Sequence, residues 1–391
     1  MISVRTQILT INTSFLDGTS ASTGSIKSFP DTPEQLQIYR KEIFEMRIAC
    51  LLRVGCYYGA ENMVLLFAKH MTQRHDVWYC SPNGVINGYL EDAGVTHVPI
   101  DKVSVSTVKH LMKTLKPDLF VVLDNKASLT CALAGVPFLS YQQNNWPFIS
   151  GFNPYSLGML FYSRRAKMVV GVSDHLIKTF RFSKYIRDKY VTLPNVVDLS
   201  RVRTLAGEIP QEKTYDICFC GRLAPQKSPA TFVRVVKKVL ESRPETTSIM
   251  VGGGETETIA EVNALVEQLG LQEKIIFTGF LENPFEKIKQ SKLLFMPSIY
   301  EGKCVVVIEA MSLGLPVIGR RAPGLEDDID DTCGALCDTE EEFYTAITAL
   351  LDDDELYQKK SQGALARAEA SGDVEKFAAD FEKICIEAVS L

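Results

Sequence analysis

Short, continuous apolar runs alternate along the chain with longer stretches of helical period. Runs with no polar face read as strands buried on both sides of a parallel sheet, and the amphipathic stretches between them as the helices that cover it. The first strand is read at Met46–Val54. Others follow at Asp76–Cys80, Leu119–Leu123, Pro137–Tyr141 and Met168–Val172, separated by helical segments such as Glu61–Thr72 and Val105–Leu115. The polar stretch Ala206–Lys213, which contains Gly207 and Pro210 and has no period, interrupts the series. The alternation then restarts. Strands are read at Tyr215–Cys220, Ser248–Val251, Ile275–Thr278, Leu293–Met296, Pro316–Gly319 and Ala335–Cys337. Helices are read at Pro229–Glu241, Ile259–Leu269, Pro284–Gln290, Val305–Leu313 and Glu340–Leu351, with Asp352–Asp354 capping a further helix near Glu355.

Two successive runs of this kind predict an α/β protein of two doubly wound, Rossmann-like parallel-sheet domains facing a cleft. The domains are placed at 46–205 and 206–372. Residues Phe377, Ala378, Phe381, Ile384, Cys385 and Ala388 share one helical face, so the terminal segment 373–391 is expected to pack back on the first domain. Residues 1–45, rich in Ser, Thr, Gly and Asp with room for a short helix over 34–45, read as an extension of unassigned role.

Composition narrows the picture. A chain of 391 residues, 46% apolar and 23% charged, fits two globular domains. No run of 18 apolar residues exists to span a membrane, and the first residues lack a signal-type apolar core, so a cytoplasmic protein is expected. The net charge of −6 hides a split: residues 1–205 carry 23 Lys/Arg against 15 Asp/Glu, and residues 206–391 carry 19 against 33. The basic surplus gathers in Arg164–Lys189, with Phe180, Phe182 and Tyr185 interleaved. An anionic membrane, an anionic acceptor, nucleic acid and a merely solvated face all fit that stretch. Ten cysteines form no C-x-x-C pair, and no histidine follows His175. They read as reduced, buried small side chains rather than zinc ligands.

The chemistry-bearing residues lie in the second half. Gly221–Arg222–Leu223–Ala224–Pro225–Gln226–Lys227–Ser228–Pro229 follows a strand and opens a helix, with Ser228 read as its N-cap. Two cations beside free backbone N–H groups suit a diphosphate; two solvated cations on a loop are the plain alternative. Gly252–Gly253–Gly254 lets backbone approach a ligand, or makes a tight turn. Glu301 and Glu309 stand eight residues apart around a loop-to-helix start. Carboxylates are acceptors suited to vicinal diols. One would hold a sugar and the other a ribose, with the diphosphate against Arg222 and Lys227. The run Asp327–Asp331 is read as a solvated loop rather than a metal site.

With these motifs the chain resembles the retaining GT-B glycosyltransferases of glycosyltransferase family 4. The pattern G-R-L-x-x-x-K matches Gly221–Lys227, with Ser228 where Gly usually follows. G-x-G-x-E is similar to Gly252, Gly254 and a shifted Glu255 or Glu257. E-x7-E matches Glu301 and Glu309, followed by Gly314–Leu315–Pro316–Val317. Gly59–Ala60–Glu61 is similar to the family's G-G-A-E loop, and Pro194–Asp198 to P-N-G-V-D. The resemblance covers about residues 46–391. It implies that Glu301 contacts the donor sugar and Glu309 the ribose. Arg222 and Lys227 would stabilise the departing diphosphate, with Gly221, Gly252, Gly254 and Gly302 as donor contacts. Phe280 and Leu281 would lie near the nucleobase, and Gly59 near the donor phosphate or acceptor. No cofactor or metal is implied.

Two departures bear on the donor. The family's histidine after G-x-P is missing from Tyr141–Trp146, so Gln143 or Asn144 is expected to contact the donor instead. The usual E-G-F-G reads Glu301–Gly302–Lys303–Cys304, and Lys303 hints at an acidic sugar or an extra phosphate contact. The expected function is retaining transfer from a nucleoside-diphosphate sugar, UDP favoured over GDP, to a saccharide or lipid-linked acceptor in cell-surface glycan synthesis. An anionic membrane is the preferred partner of Arg164–Lys189, placing the chain at the inner membrane face; nucleic acid is not expected. A nucleotide-sugar epimerase and a non-catalytic binding protein are the rivals.

Overall fold

The computed structural model describes residues 45–57, 59–144, 146–208 and 213–391. The helix expected over 34–45 and most of the extension therefore lie outside the described residues. The remainder forms two α/β halves, as the alternation predicts.

The first half carries β1 (Arg47–Leu51), α1 (Gly59–Met71), β2 (Asp76–Ser81), α2 (Ile86–Ala93), β3 (Thr96–Pro99), α3 (Val105–Thr114) and β4 (Leu119–Val122). It continues through α4 (Asn125–Ala134), β5 (Phe138–Gln142), α5 (Pro154–Arg165), β6 (Met168–Gly171), α6 (Asp174–Thr179) and β7 (Tyr190–Thr192). Its seven strands are all parallel, in the order β3-β2-β1-β4-β5-β6-β7. The sequence reading missed β3 and β7. Each is a half-exposed edge strand of four or three residues, too short to show a run.

After α7 (Leu199–Ala206) the second half runs β8 (Tyr215–Cys220), α8 (Pro229–Ser242), β9 (Ser248–Val251), α9 (Thr256–Gln268), β10 (Ile275–Gly279), α10 (Phe285–Lys289) and β11 (Ser291–Met296). It ends with α11 (Val305–Ser312), β12 (Val317–Arg320), β13 (Gly334–Cys337), α12 (Glu340–Asp352) and α13 (Asp354–Glu369). These six strands are also parallel, ordered β10-β9-β8-β11-β12-β13. The direction of winding reverses between β1 and β4 in one sheet and between β8 and β11 in the other. Crevices for ligands open beyond the carboxyl ends of strands at such points.

The last helix, α14 (Val374–Ser390), lies on the first half. Phe377, Phe381, Ile384, Cys385 and Ala388 join that half's core. Phe381 stacks on Phe67 of α1 with ring centroids 3.9 Å apart. Glu382, 6% exposed, accepts from Arg74 at 2.7 Å and from His75 Nε2 at 2.9 Å. All ten cysteines are free and nine are buried.

Ser228 is a correction to the sequence reading. It does stand at the N-cap of α8, but its side chain caps no backbone N–H, and its φ of +50° lies in the left-handed region. Glycine tolerates that conformation and serine pays for it in strain. Its hydroxyl pairs with Thr231 at 2.9 Å instead.

Two stability outcomes follow from this packing. Phe381→Ala should lower the denaturation midpoint, at a cost of about 3–5 kcal/mol; an unchanged midpoint would mean that α14 is not docked. Ser228→Gly should raise the midpoint, by about 1 kcal/mol. A decrease would show that the Thr231 contact outweighs the strain.

Candidate active site

The loops that leave β8 and β11 meet at the reversal point of the second sheet. Gln226 fastens them: its side-chain Nε2 donates to the Tyr300 carbonyl at 2.8 Å, while its backbone carbonyl accepts from Ile299 N–H at 2.8 Å. Lys227 Nζ then lies 2.7 Å from Glu301 Oε1, and Glu301 is only 5% exposed. Burial works against the Lys227 ammonium. The Cys304 sulfur, 4.0 Å away, and the Glu301 carboxylate more than offset this and hold its pKa above the usual lysine range. The Cys304 thiol, buried below, is pushed up to about 12 by desolvation. Arg222 is exposed and makes no hydrogen bond or ion pair among the described residues. It lies close enough to Tyr300 to act on the phenol electrostatically.

Glu309 sits on α11. Its side chain forms no ion pair or hydrogen bond among the described residues, and burial raises its carboxyl from 4.5 to about 7 against the pull of Arg201. Tyr57, in the loop between β1 and α1, also feels its charge, and desolvation lifts the Tyr57 phenol to about 12. Tyr57 stacks on Tyr89 with centroids 3.8 Å apart, and the Arg201 guanidinium lies 5.6 Å from the Tyr57 ring. Tyr89 reaches Glu282 of the second half at 3.3 Å. The sequence reading missed Arg201, Tyr57 and Tyr89. Asp198 caps α7 through the Arg201 N–H, but nothing in the sequence tells where the arginine head will lie.

The glycines have identifiable neighbours. A Cβ on Gly302 would lie 1.8 Å from the Gln143 carbonyl oxygen, so the Glu301 loop touches the loop after β5 backbone to backbone. Gly252, with φ of +140°, would clash with Gly221 O at 2.0 Å, and Gly254 with Leu223 O at 2.1 Å. Leu223 N–H donates to Gly253 O at 2.8 Å, and Glu255 N–H to Leu223 O at 3.1 Å. At Gly252 and Gly254 the backbone thus runs close against the Gly221–Leu223 segment. Gly59 opens α1 opposite Val305, the first residue of α11. Phe280 is 53% exposed at the end of β10, and Leu281 packs on the second core.

Gln143 and Asn144 reach the site through backbone. The Gln143 side chain is turned to Asn195 at 2.9 Å, and Asn195 in turn accepts from Tyr141 at 2.9 Å. Lys303 departs from its expected role, because its ammonium is engaged by Asp328. Asp328 departs as well. It is 1% exposed rather than solvated, and burial raises its carboxyl despite Lys303. Asp330 folds onto Thr332 and the rest of its own loop.

In sum, Arg222, Lys227, Glu301 and Cys304 come together at one rim, with Gly302 meeting Gln143 and Asn144. Glu309 lies on the Tyr57 and Arg201 side, while Lys303 pairs with Asp328.

Residues 205–367 match the family model described as glycosyl transferases group 1. The chain is 28% identical to an uncharacterized glycosyltransferase of Methanocaldococcus jannaschii over 243 residues, 60% of this chain and 56% of that one. It is 26% identical, over 63% of its length and 66% of the relative's, to the N-acetylgalactosamine-N,N'-diacetylbacillosaminyl-diphospho-undecaprenol 4-alpha-N-acetylgalactosaminyltransferase of Campylobacter jejuni. Both matches span less than two thirds of the relative. Among solved structures, Anabaena HepE in complex with UDP-glucose superposes with a TM-score of 0.74 at 20% identity, over 89% of this chain and 100% of that one, a likeness of fold. Residues 205–367 thus carry the match to glycosyl transferases group 1, within a two-domain fold like that of Anabaena HepE.

Proposed function

We propose that the chain transfers a glycosyl group, with retention, from a UDP-sugar to a hydroxyl of a lipid-linked saccharide. The observation that carries this reading is the Lys227–Glu301 pair beside the free Arg222 at the sheet's reversal point. Glu301 offers carboxylate oxygens to sugar hydroxyls. Lys227 and Arg222 neutralise the diphosphate as the bond between anomeric carbon and phosphate oxygen breaks. The departing phosphate takes the acceptor's proton as the new glycosidic bond forms, so the protein's part is positioning and charge. Glu309 holds the ribose diol. The UDP donor is supported by the likeness to a fold solved with UDP-glucose. The lipid-linked acceptor is supported by the Campylobacter relative, whose name specifies a diphospho-undecaprenol carrier. Cell-surface glycan synthesis belongs to the same reading, and no metal is assigned a role in it.

Arg222→Ala is the clean test of the phosphate role, because the arginine is exposed and its loss strands no partner. Turnover should fall by about a hundredfold or more with the melting temperature unchanged; near-normal turnover would remove the assignment. Lys227→Ala is a poorer probe, since it leaves the buried Glu301 without its 2.7 Å partner.

A second test uses pH. With the Glu309 pKa raised to about 7, its carboxylate is available for the ribose only above that pH. Donor KM should therefore fall as pH rises through about 7 and level off, and Glu309→Gln should abolish this dependence. Stability moves the other way. The fold favours the protonated form, so the contribution of this group is full below 4.5 and lost as pH rises through about 7. Glu309→Gln should escape that loss. A profile shared by wild type and variant would refute the role.

A further inference from the structure

The exposed rings of the first half are gathered in one place. Phe148, Phe152, Tyr155 and Tyr185 are 36%, 69%, 66% and 50% exposed. Large rings grouped in water mark an interaction surface. Phe148 and Tyr155 lie 4.8 Å apart, while Phe152 and Tyr185 each contact Phe182, at 6.1 and 6.5 Å. The two segments are held together: Arg181 N–H donates to the Ile149 carbonyl at 3.2 Å, and Asn153 Nδ2 to that of Phe148 at 2.6 Å. Asn153 also forms a capping box at the start of α5, so the rings stand on fixed backbone.

Charge distinguishes this patch from an ordinary apolar one. Lys178, Arg181, Lys184 and Arg187 are all exposed around it, and none forms an ion pair among the described residues. Lys184 Nζ lies 4.9 Å from the Tyr185 ring. Unpaired cations mixed with amphipathic rings match a bilayer interface, where the rings sit among the headgroups and the cations meet lipid phosphate.

The rings also lead inward. Trp146 lies 5.2 Å from Phe148 and 6.3 Å from Tyr300, the neighbour of Glu301 in the chain. The patch is thus continuous with the mouth of the candidate site.

We propose that this aromatic and basic patch docks the chain on an anionic bilayer, with the cleft opening beside the lipid surface. The use of that position rests on the lipid-linked acceptor proposed above; the docking itself does not.

The test is flotation of the full chain with phosphatidylcholine vesicles containing roughly one third phosphatidylglycerol, against pure phosphatidylcholine. The wild type should float only with the anionic vesicles and be released by high salt. Arg181→Glu with Lys184→Glu, and separately Phe152→Ser with Tyr155→Ser, should each weaken partition by about tenfold or more. Melting temperature and UDP binding by calorimetry should be unchanged in both. No flotation, equal flotation with neutral vesicles, or variants that float like the wild type would overturn the docking. So would capture of a soluble oligosaccharide in place of vesicles. Salt-sensitive flotation without UDP binding supports the docking and removes the donor reading instead.

Discussion

The Lys227–Glu301 pair sets the terms for the rest of the site. A carboxylate as shielded as Glu301 is costly unless a cation stands beside it. The fold supplies that cation by ending β8 and β11, which are neighbours in the sheet, in two loops that Gln226 ties together. This arrangement holds two opposite charges ready at a crevice. A ligand with a negative end and a hydroxyl-rich end can engage both, and Arg222 remains unengaged beside them.

The contact of Gly302 with the Gln143 backbone ties this crevice to the first half. Tyr89 with Glu282 provides a second crossing, and Tyr57, under the Arg201 guanidinium, stacks on Tyr89. Glu309 is therefore read by groups from both sides of the cleft, which explains how a helix-borne carboxyl can be shielded without a direct partner. The same geometry accounts for the glycines. Several serve contacts between loops, and the shape of the site depends on those contacts before any ligand arrives.

Much of this was legible in the sequence. Both sheets announced themselves because their central strands, such as Leu119–Val122 and Leu293–Met296, are apolar on both faces. The edge strands Thr96–Pro99 and Tyr190–Thr192 did not, because half of each meets solvent. The positions of Arg222, Lys227, Glu301 and Glu309 followed from their place after strands or at helix starts. Side-chain direction did not follow. Lys303 turning to Asp328, and Arg201 lying over Tyr57, depend on contacts between segments far apart in the chain, and no local pattern records such contacts. Ser228 shows the opposite case: the sequence departs there from the motif it resembles, and the left-handed backbone gives the departure a physical meaning.

The position of α14 has a consequence for how the chain is made. The first half lacks part of its core until Phe381 and its neighbours arrive, and a ribosome produces them only after the whole second half. A nascent first half must wait with the Phe67 side of α1 uncovered, available to chaperones or to stray partners. The second half, which needs no later segment for its own sheet, can close first, so order of synthesis and order of completion run in opposite directions.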